Sequence, residues 1–217
     1  DPFGVIAILP LFLFACSEPT EYDKHFDKWS NSSAWSEESQ IEIQGHKIDI
    51  TFHGSNRTVK EDIQHVQLAS DQFLSTYSKK EIQTCVDRAH NIDIFHVPCR
   101  LLNDDRVEGE LKDYPYDDGK VYVGLTYSEK RGSDWNRSDW DFAVGYCYDD
   151  MVKLSSRVNY ETDTWWRELA LAHEMTHVWQ RACDPITSVL SPGKEEKIAF
   201  DFHEKYKDTA KRLHVHY

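Results

Sequence analysis

Basic charge is scarce in this chain. Its 25 Lys and Arg stand against 38 Asp and Glu, a formal net charge of −13. Such a surface is repelled by phosphate backbones and anionic lipid, so nucleic acid is not an expected partner. A long apolar run is lacking as well: Gly4 to Ala15 (GVIAILPLFLFA) is uncharged but too short to span a bilayer, and Pro10 interrupts it. The five cysteines include no C-x-x-C pair, which argues against a zinc ribbon or a redox dithiol. The paired acids Asp117-Asp118 and Asp149-Asp150 lack calcium-loop spacing and read as solvated. Aromatic residues, by contrast, make up 13% of the chain, with 7 Trp, which fits a packed globule better than a disordered acidic chain. A length of 217 residues suits one domain of ordinary size.

The apolar stretch ends in small Ala15 before Cys16, as the core of a secretory signal does. LFAC, Leu13 to Cys16, resembles a bacterial lipobox, whose cysteine becomes the lipidated first residue of the mature protein. The expected organisation is a signal-like segment over 1–16, a polar tether over 17–40 and one domain over 41–217. The alternative for the first segment is a buried helix broken at Pro10. An exported protein is expected, either attached to a membrane through Cys16 in the periplasm or outer membrane, or secreted. The other cysteines, Cys85, Cys99, Cys147 and Cys183, are even in number and suit two disulfides in an oxidising compartment. Chain proximity favours Cys85 with Cys99 and Cys147 with Cys183, with three connectivities open.

From Ile41, IEIQGHKIDITFHG alternates apolar and polar residues, predicting a strand or a hairpin bent at Gly45. Thr58 to Tyr77 carries Val59, Ile63, Val66, Phe73 and Leu74 near helical spacing behind a Thr58 cap, and a short helix is expected over 79–89. NIDIFHVP, GKVYVGLTYS, DFAVGYCYDD and MVKLSS predict strands between residues 92 and 156. SDWNRSDWDF places Trp135 and Trp140 in a polar loop, pinning it to the core or lining a cleft. Two helices close the chain, one capped by Asp163 or Thr164 and ended by Asp184-Pro185, the other entered after Pro192-Gly193. The succession of helices, strands and helices implies an α+β fold.

The first of these C-terminal helices contains LALAHEMTHVWQRAC, Leu169 to Cys183. His173 and His177 lie one turn apart, so both imidazoles leave the same face and can meet one ion. Glu174 projects about 100° around the axis, where it reaches a water beside that ion without ligating it. Its expected role is general base, taking the water's proton and passing it to a leaving amine. Leu169, Ala170, Ala172, Met175 and Val178 surround the trio with small or apolar groups, as a buried helix requires.

HEMTHVWQ resembles the active helix of the zincin metallopeptidases, in particular peptidase-like domains of bacterial envelopes and secretion machines. The resemblance runs from about Trp165 to Tyr206. It implies a mixed sheet packed on the active helix, with a cleft beside an edge strand, and a bound Zn²⁺. A metzincin-like continuation is absent, because Gln180 and Cys183 stand where its glycine and last histidine belong. A gluzincin-like pattern implies a glutamate ligand from a following helix. GKEEKIAFDF supplies two, and Glu196 is expected because E-K-I-A resembles the E-x-x-A of compact gluzincins; Glu195 stays open as the alternative. Phe200 occupies the place of the aspartate expected after that alanine. His203, two turns beyond Glu196, is the candidate donor to a developing oxyanion, with Tyr206 and Tyr160 as competitors. The implied function is zinc-dependent hydrolysis of a peptide or protein substrate. The alternatives are a zincin-shaped envelope protein that binds a partner without turnover and a peptidase-like secreted toxin.

Overall fold

A computed structural model of the chain describes residues 19–54, 59–89, 91–98, 101–102, 124–131, 139–148, 166–185 and 192–214. Its elements in chain order are α1 (Glu21–Ser30), β1 (Trp35–Ile43), β2 (His46–Gly54), α2 (Val59–Leu74), α3 (Lys79–Arg88), β3 (Asn91–Pro98), β4 (Gly124–Arg131), β5 (Asp139–Tyr148), α4 (Trp166–Cys183) and α5 (Pro192–His214). The expected signal-like segment, the strand over MVKLSS, Cys99, the paired acids, Trp135, Tyr160 and the cap candidates Asp163 and Thr164 lie outside the described residues.

The five strands form one mixed sheet in the order β1-β2-β3-β5-β4, so the α+β expectation holds. β1 and β2 make the hairpin that the alternation of IEIQGHKIDI predicts. Gln44 and Gly45 connect them at φ 50° and 87°, the positive values that a two-residue hairpin loop needs. α2 and α3 then cross over to β3, which pairs with β2 in parallel. β5 continues the parallel set, and β4 runs antiparallel to it at the edge.

One face of the sheet, built from Ile41, Ile48, Ile50, Ile92, Ile94, Phe142 and Val144, packs with the helices α2 to α5 in a single apolar core. α4 is the centre of that layer. Every residue from Glu168 to Gln180 is buried, so the helix has no solvated face, and its Leu and Ala residues serve both helix propensity and packing. Trp179 Nε1 donates to Ser70 Oγ of α2 at 2.9 Å, and Arg88 of α3 donates to the last α4 carbonyls, Ala182 O at 2.8 Å and Cys183 O at 3.2 Å. A cation is well placed there, at the negative end of the helix dipole.

The other face corrects the expected tether. Within 17–40, residues 21–30 form α1 and residues from 35 onward belong to β1. Thr20 and Asp23 close a capping box, and Tyr22, His25 and Trp29 fall on one buried stripe that the polar composition conceals. Trp29 and Tyr22 pack with Phe95, Val97 and Ala143 in a second apolar cluster. Gly145 permits that approach: a Cβ there would lie 2.7 Å from Trp29 Cη2. Trp140 is likewise not a loop residue, since it lies in β5 and packs against the main core.

Among the described residues Cys85 is bonded to Cys183, which corrects both pairings favoured by chain proximity. Helix packing sets proximity here: α3 lies against the C-terminal turn of α4, as the Arg88 contacts also require. The bridge closes a loop over a sequence separation of 98. Its removal by Cys85→Ser should lower the unfolding free energy by about 2–5 kcal/mol, read from urea denaturation, because the unfolded chain regains loop entropy. Peptide mapping without reductant should recover Cys85 linked to Cys183; a Cys147–Cys183 peptide instead would contradict this packing of α3 on α4.

Candidate metal centre

Three ionisable side chains, His173, Glu174 and His177, sit at the middle of α4 with 4%, 5% and 6% exposure. Burial of such groups is costly unless partners compensate them, and the carboxylate and hydroxyl partners come from neighbouring elements. α5 supplies a carboxylate: His173 Nε2 lies 3.0 Å from Glu196 Oε1, and His177 Nε2 lies 3.1 Å from Glu196 Oε2. The two Nε2 atoms are themselves 3.1 Å apart. His173, His177 and Glu196 are a group able to hold a metal ion, the one such group among the described residues. Their separations fit a tetrahedral ion with bonds of about 2.0–2.1 Å, whose donor atoms stand roughly 3.3 Å apart. Glu196 keeps 28% of its side chain exposed, so the group is open on its α5 side.

Glu195 takes a different place from its neighbour. Its Oε1 is 3.5 Å from His177 Nδ1, on the far side of that ring from Glu196. Gln180 joins it: Gln180 Oε1 lies 3.0 Å from His177 Nδ1, and Gln180 Nε2 donates to the Glu195 carbonyl at 2.9 Å. Arg181 Nε donates to Glu195 Oε1 at 2.8 Å. The open choice between the two glutamates thus resolves into two positions, Glu196 on the shared face of the histidines and Glu195 behind His177. Burial opposes charge on His177, but hydrogen bonding to Glu195 and Glu196, with the charges of Glu174 and Glu196, outweighs it and lifts its pKa to about 10. Burial also opposes charge on Glu196, yet the two histidines hold its carboxyl far below the usual range. The carboxylates around His177 thus favour positive charge on its ring.

β4, the edge strand, fixes Glu174. Thr126 Oγ1 donates to Glu174 Oε2 at 2.6 Å and lies 3.2 Å from the Glu174 carbonyl oxygen. Arg181 Nη1 donates in turn to the Thr126 carbonyl. Two residues back along β4, Gly124 faces the same carboxylate: a Cβ there would collide with Glu174 Oε1 and Cγ. The strand reaches the helix this closely because the position carries no side chain.

His203 is fully buried on α5, its ring centroid 6.1 Å from that of His173, and Phe200 packs 4.8 Å from the same ring. Tyr206 points elsewhere, sharing a hydrogen bond with His65 Nδ1 of α2 at 2.9 Å. Burial, then the charge of Glu168, pushes its phenol above the usual range. The sequence reading missed Gly124, Thr126, Gln180 and Arg181. Gln180 and Arg181 follow His177 by three and four positions, a helical signal that was there to read. No comparable signal ties a strand residue to Glu174. No protein-family model, curated protein or solved structure matches the chain.

Two substitutions on β4 test this placement. Thr126→Val should cost about 1.5–3 kcal/mol in chemical denaturation, since a buried carboxylate oxygen loses its donor. Gly124→Ala should cost about 1–3 kcal/mol by overpacking, with Glu174 driven from its rotamer. Unchanged stability in both variants would mean that β4 does not lie against Glu174.

Proposed function

We propose that the chain is a zinc-dependent peptidase of the gluzincin-like kind, with His173, His177 and Glu196 as metal ligands and Glu174 as general base. The observation that carries this reading is the meeting of one carboxylate, Glu196, with both histidine Nε2 atoms, while Glu174 of the same helix as the histidines stands apart from them, held by Thr126 of β4. A zinc ion with three protein ligands supplies Lewis acidity and makes water acidic near neutral pH. Glu174 accepts the proton of the attacking water and returns it to the leaving amine. Thr126 holds one oxygen of that carboxylate and leaves the other available for proton transfer. The buried flank of α4 excludes bulk water, which strengthens each of these charge interactions. His203, beside His173, is the proposed donor to the developing oxyanion.

An edge strand antiparallel to its neighbour and lying along the histidine-bearing helix supports the same reading, since it offers an extended peptide a place beside the base. An intact, oriented Glu174 favours turnover over simple binding, because a binding protein has no use for a positioned base. The Cys85–Cys183 bridge supports export to an oxidising compartment. Attachment through a lipidated Cys16 belongs to the same proposal, and no helix among the described residues is long and apolar enough to cross a membrane.

Purified protein should hold about one zinc per chain by atomic emission, and His173→Ala or His177→Ala should lose it, since two remaining ligands rarely retain zinc. Glu174→Gln should keep the metal while cleavage of a peptide library falls by about 10²–10⁴-fold. Glu196→Gln should lose much of both. Stoichiometric zinc in a His173→Ala/His177→Ala double variant would refute the site; zinc without cleavage in the unmodified protein would refute the peptidase.

A further inference from the structure

Arg181 has no place in the scheme above, yet it joins its two halves. From the last turn of α4 its Nε holds Glu195 of α5, and its Nη1 holds the backbone carbonyl of Thr126 on β4. Glu195 stands behind His177, where its Oε1 at 3.5 Å shares Nδ1 with Gln180 Oε1 at 3.0 Å, and its own carbonyl is held by Gln180. The next residue along α5 is the proposed ligand Glu196. Thr126, at the other end, carries Glu174 on its hydroxyl. The contacts therefore run from Glu174 through Thr126, Arg181 and Glu195 to His177, linking the proposed base to a proposed ligand by way of the edge strand.

We propose that Arg181 is a positioning residue that couples metal capture to the placement of β4, acting on the metal side through Glu195. The proposal rests on the metal reading of the histidine and glutamate group. A carboxylate behind a ligating imidazole fixes the ring and raises its basicity, and loss of such a partner weakens metal binding by about 10–100-fold. Glu195 can serve in that way only while held and neutralised, for its side chain is 7% exposed. Arginine suits the task because a planar fork serves two acceptors at fixed angles, whereas lysine offers a single point of charge. The partners differ in kind, one being the support of a metal ligand and the other the backbone of the strand that orients the base. Filling the metal site is then felt in β4 without any metal contact to the strand.

The test uses the full chain and Zn²⁺ alone, with affinity measured by competition against a chromophoric chelator. Backbone exchange of the β4 peptide is followed by mass spectrometry with and without zinc. E195Q and R181Q should each weaken zinc binding by about 10–100-fold, and the double variant should be no weaker than E195Q, since one residue acts through the other. R181K should fall between R181Q and the unmodified protein. S78A, which removes the N-cap of α3 and touches neither β4 nor the histidine and glutamate group, should bind zinc within about threefold of the unmodified protein, a control for general loss of stability. Zinc should slow exchange in β4 of the unmodified protein and fail to do so in R181Q. Zinc affinity of R181Q within about twofold of the unmodified protein, or slowing of β4 that persists in R181Q, overturns the coupling and leaves the metal reading intact. An unmodified protein that binds no zinc, or binds it no better than a His177→Ala variant, overturns both.

Discussion

Placing two imidazoles and a carboxylate in the middle of a helix with no solvated side is the constraint to which the rest of the structure answers. Each group needs a compensating partner within a few ångströms, and α4 itself offers only Gln180, behind His177, most of its other buried positions being apolar. The partners arrive from both flanks. α5 brings Glu195 and Glu196 to the histidines, and β4 brings Thr126 to Glu174. The sheet order then has a purpose, since among the described strands β4 ends the sheet and can lie along α4.

β4 is held from two sides. α4 grips it through Arg181 and Thr126 on one face, and α1 braces it on the other, where the His25 and Tyr127 rings stack at 4.0 Å and Thr20 Oγ1 donates to Glu129 at 3.3 Å. An edge strand is ordinarily the least restrained part of a sheet. Bracing on both faces gives it the rigidity that a positioned carboxylate requires. α1 is thus a working part of the domain, although its composition looks like that of a linker.

What the sequence made legible is what short-range geometry controls. The histidines of α4 lie one turn apart, so their convergence follows from helix pitch, and the β1–β2 hairpin follows from strict alternation around Gln44-Gly45. Glu196 was reachable only through resemblance, because its approach to the histidines depends on how α5 folds back. The remaining features are tertiary. Cys85 and Cys183 meet because two helices pack, against the ranking that chain distance suggests. Gly124 and Thr126 are nearly fifty residues from Glu174, and nothing in their own neighbourhood marks them. α1 was hidden by averaging: Tyr22, His25 and Trp29 form a stripe that a count of polar residues over the same stretch erases.

The central helix is also among the last elements to be made. The described strands all precede α4 in the chain, so during synthesis β5 emerges with Phe142 and Val144 not yet covered by the helix that packs on β5 and β4. Until α4 leaves the ribosome that part of the sheet is an apolar surface on a nascent chain, the kind of surface that chaperones recognise. The order of elements thereby sets an interval in which the polypeptide is unfinished yet already collapsible, and arrival of the histidine-bearing helix closes it.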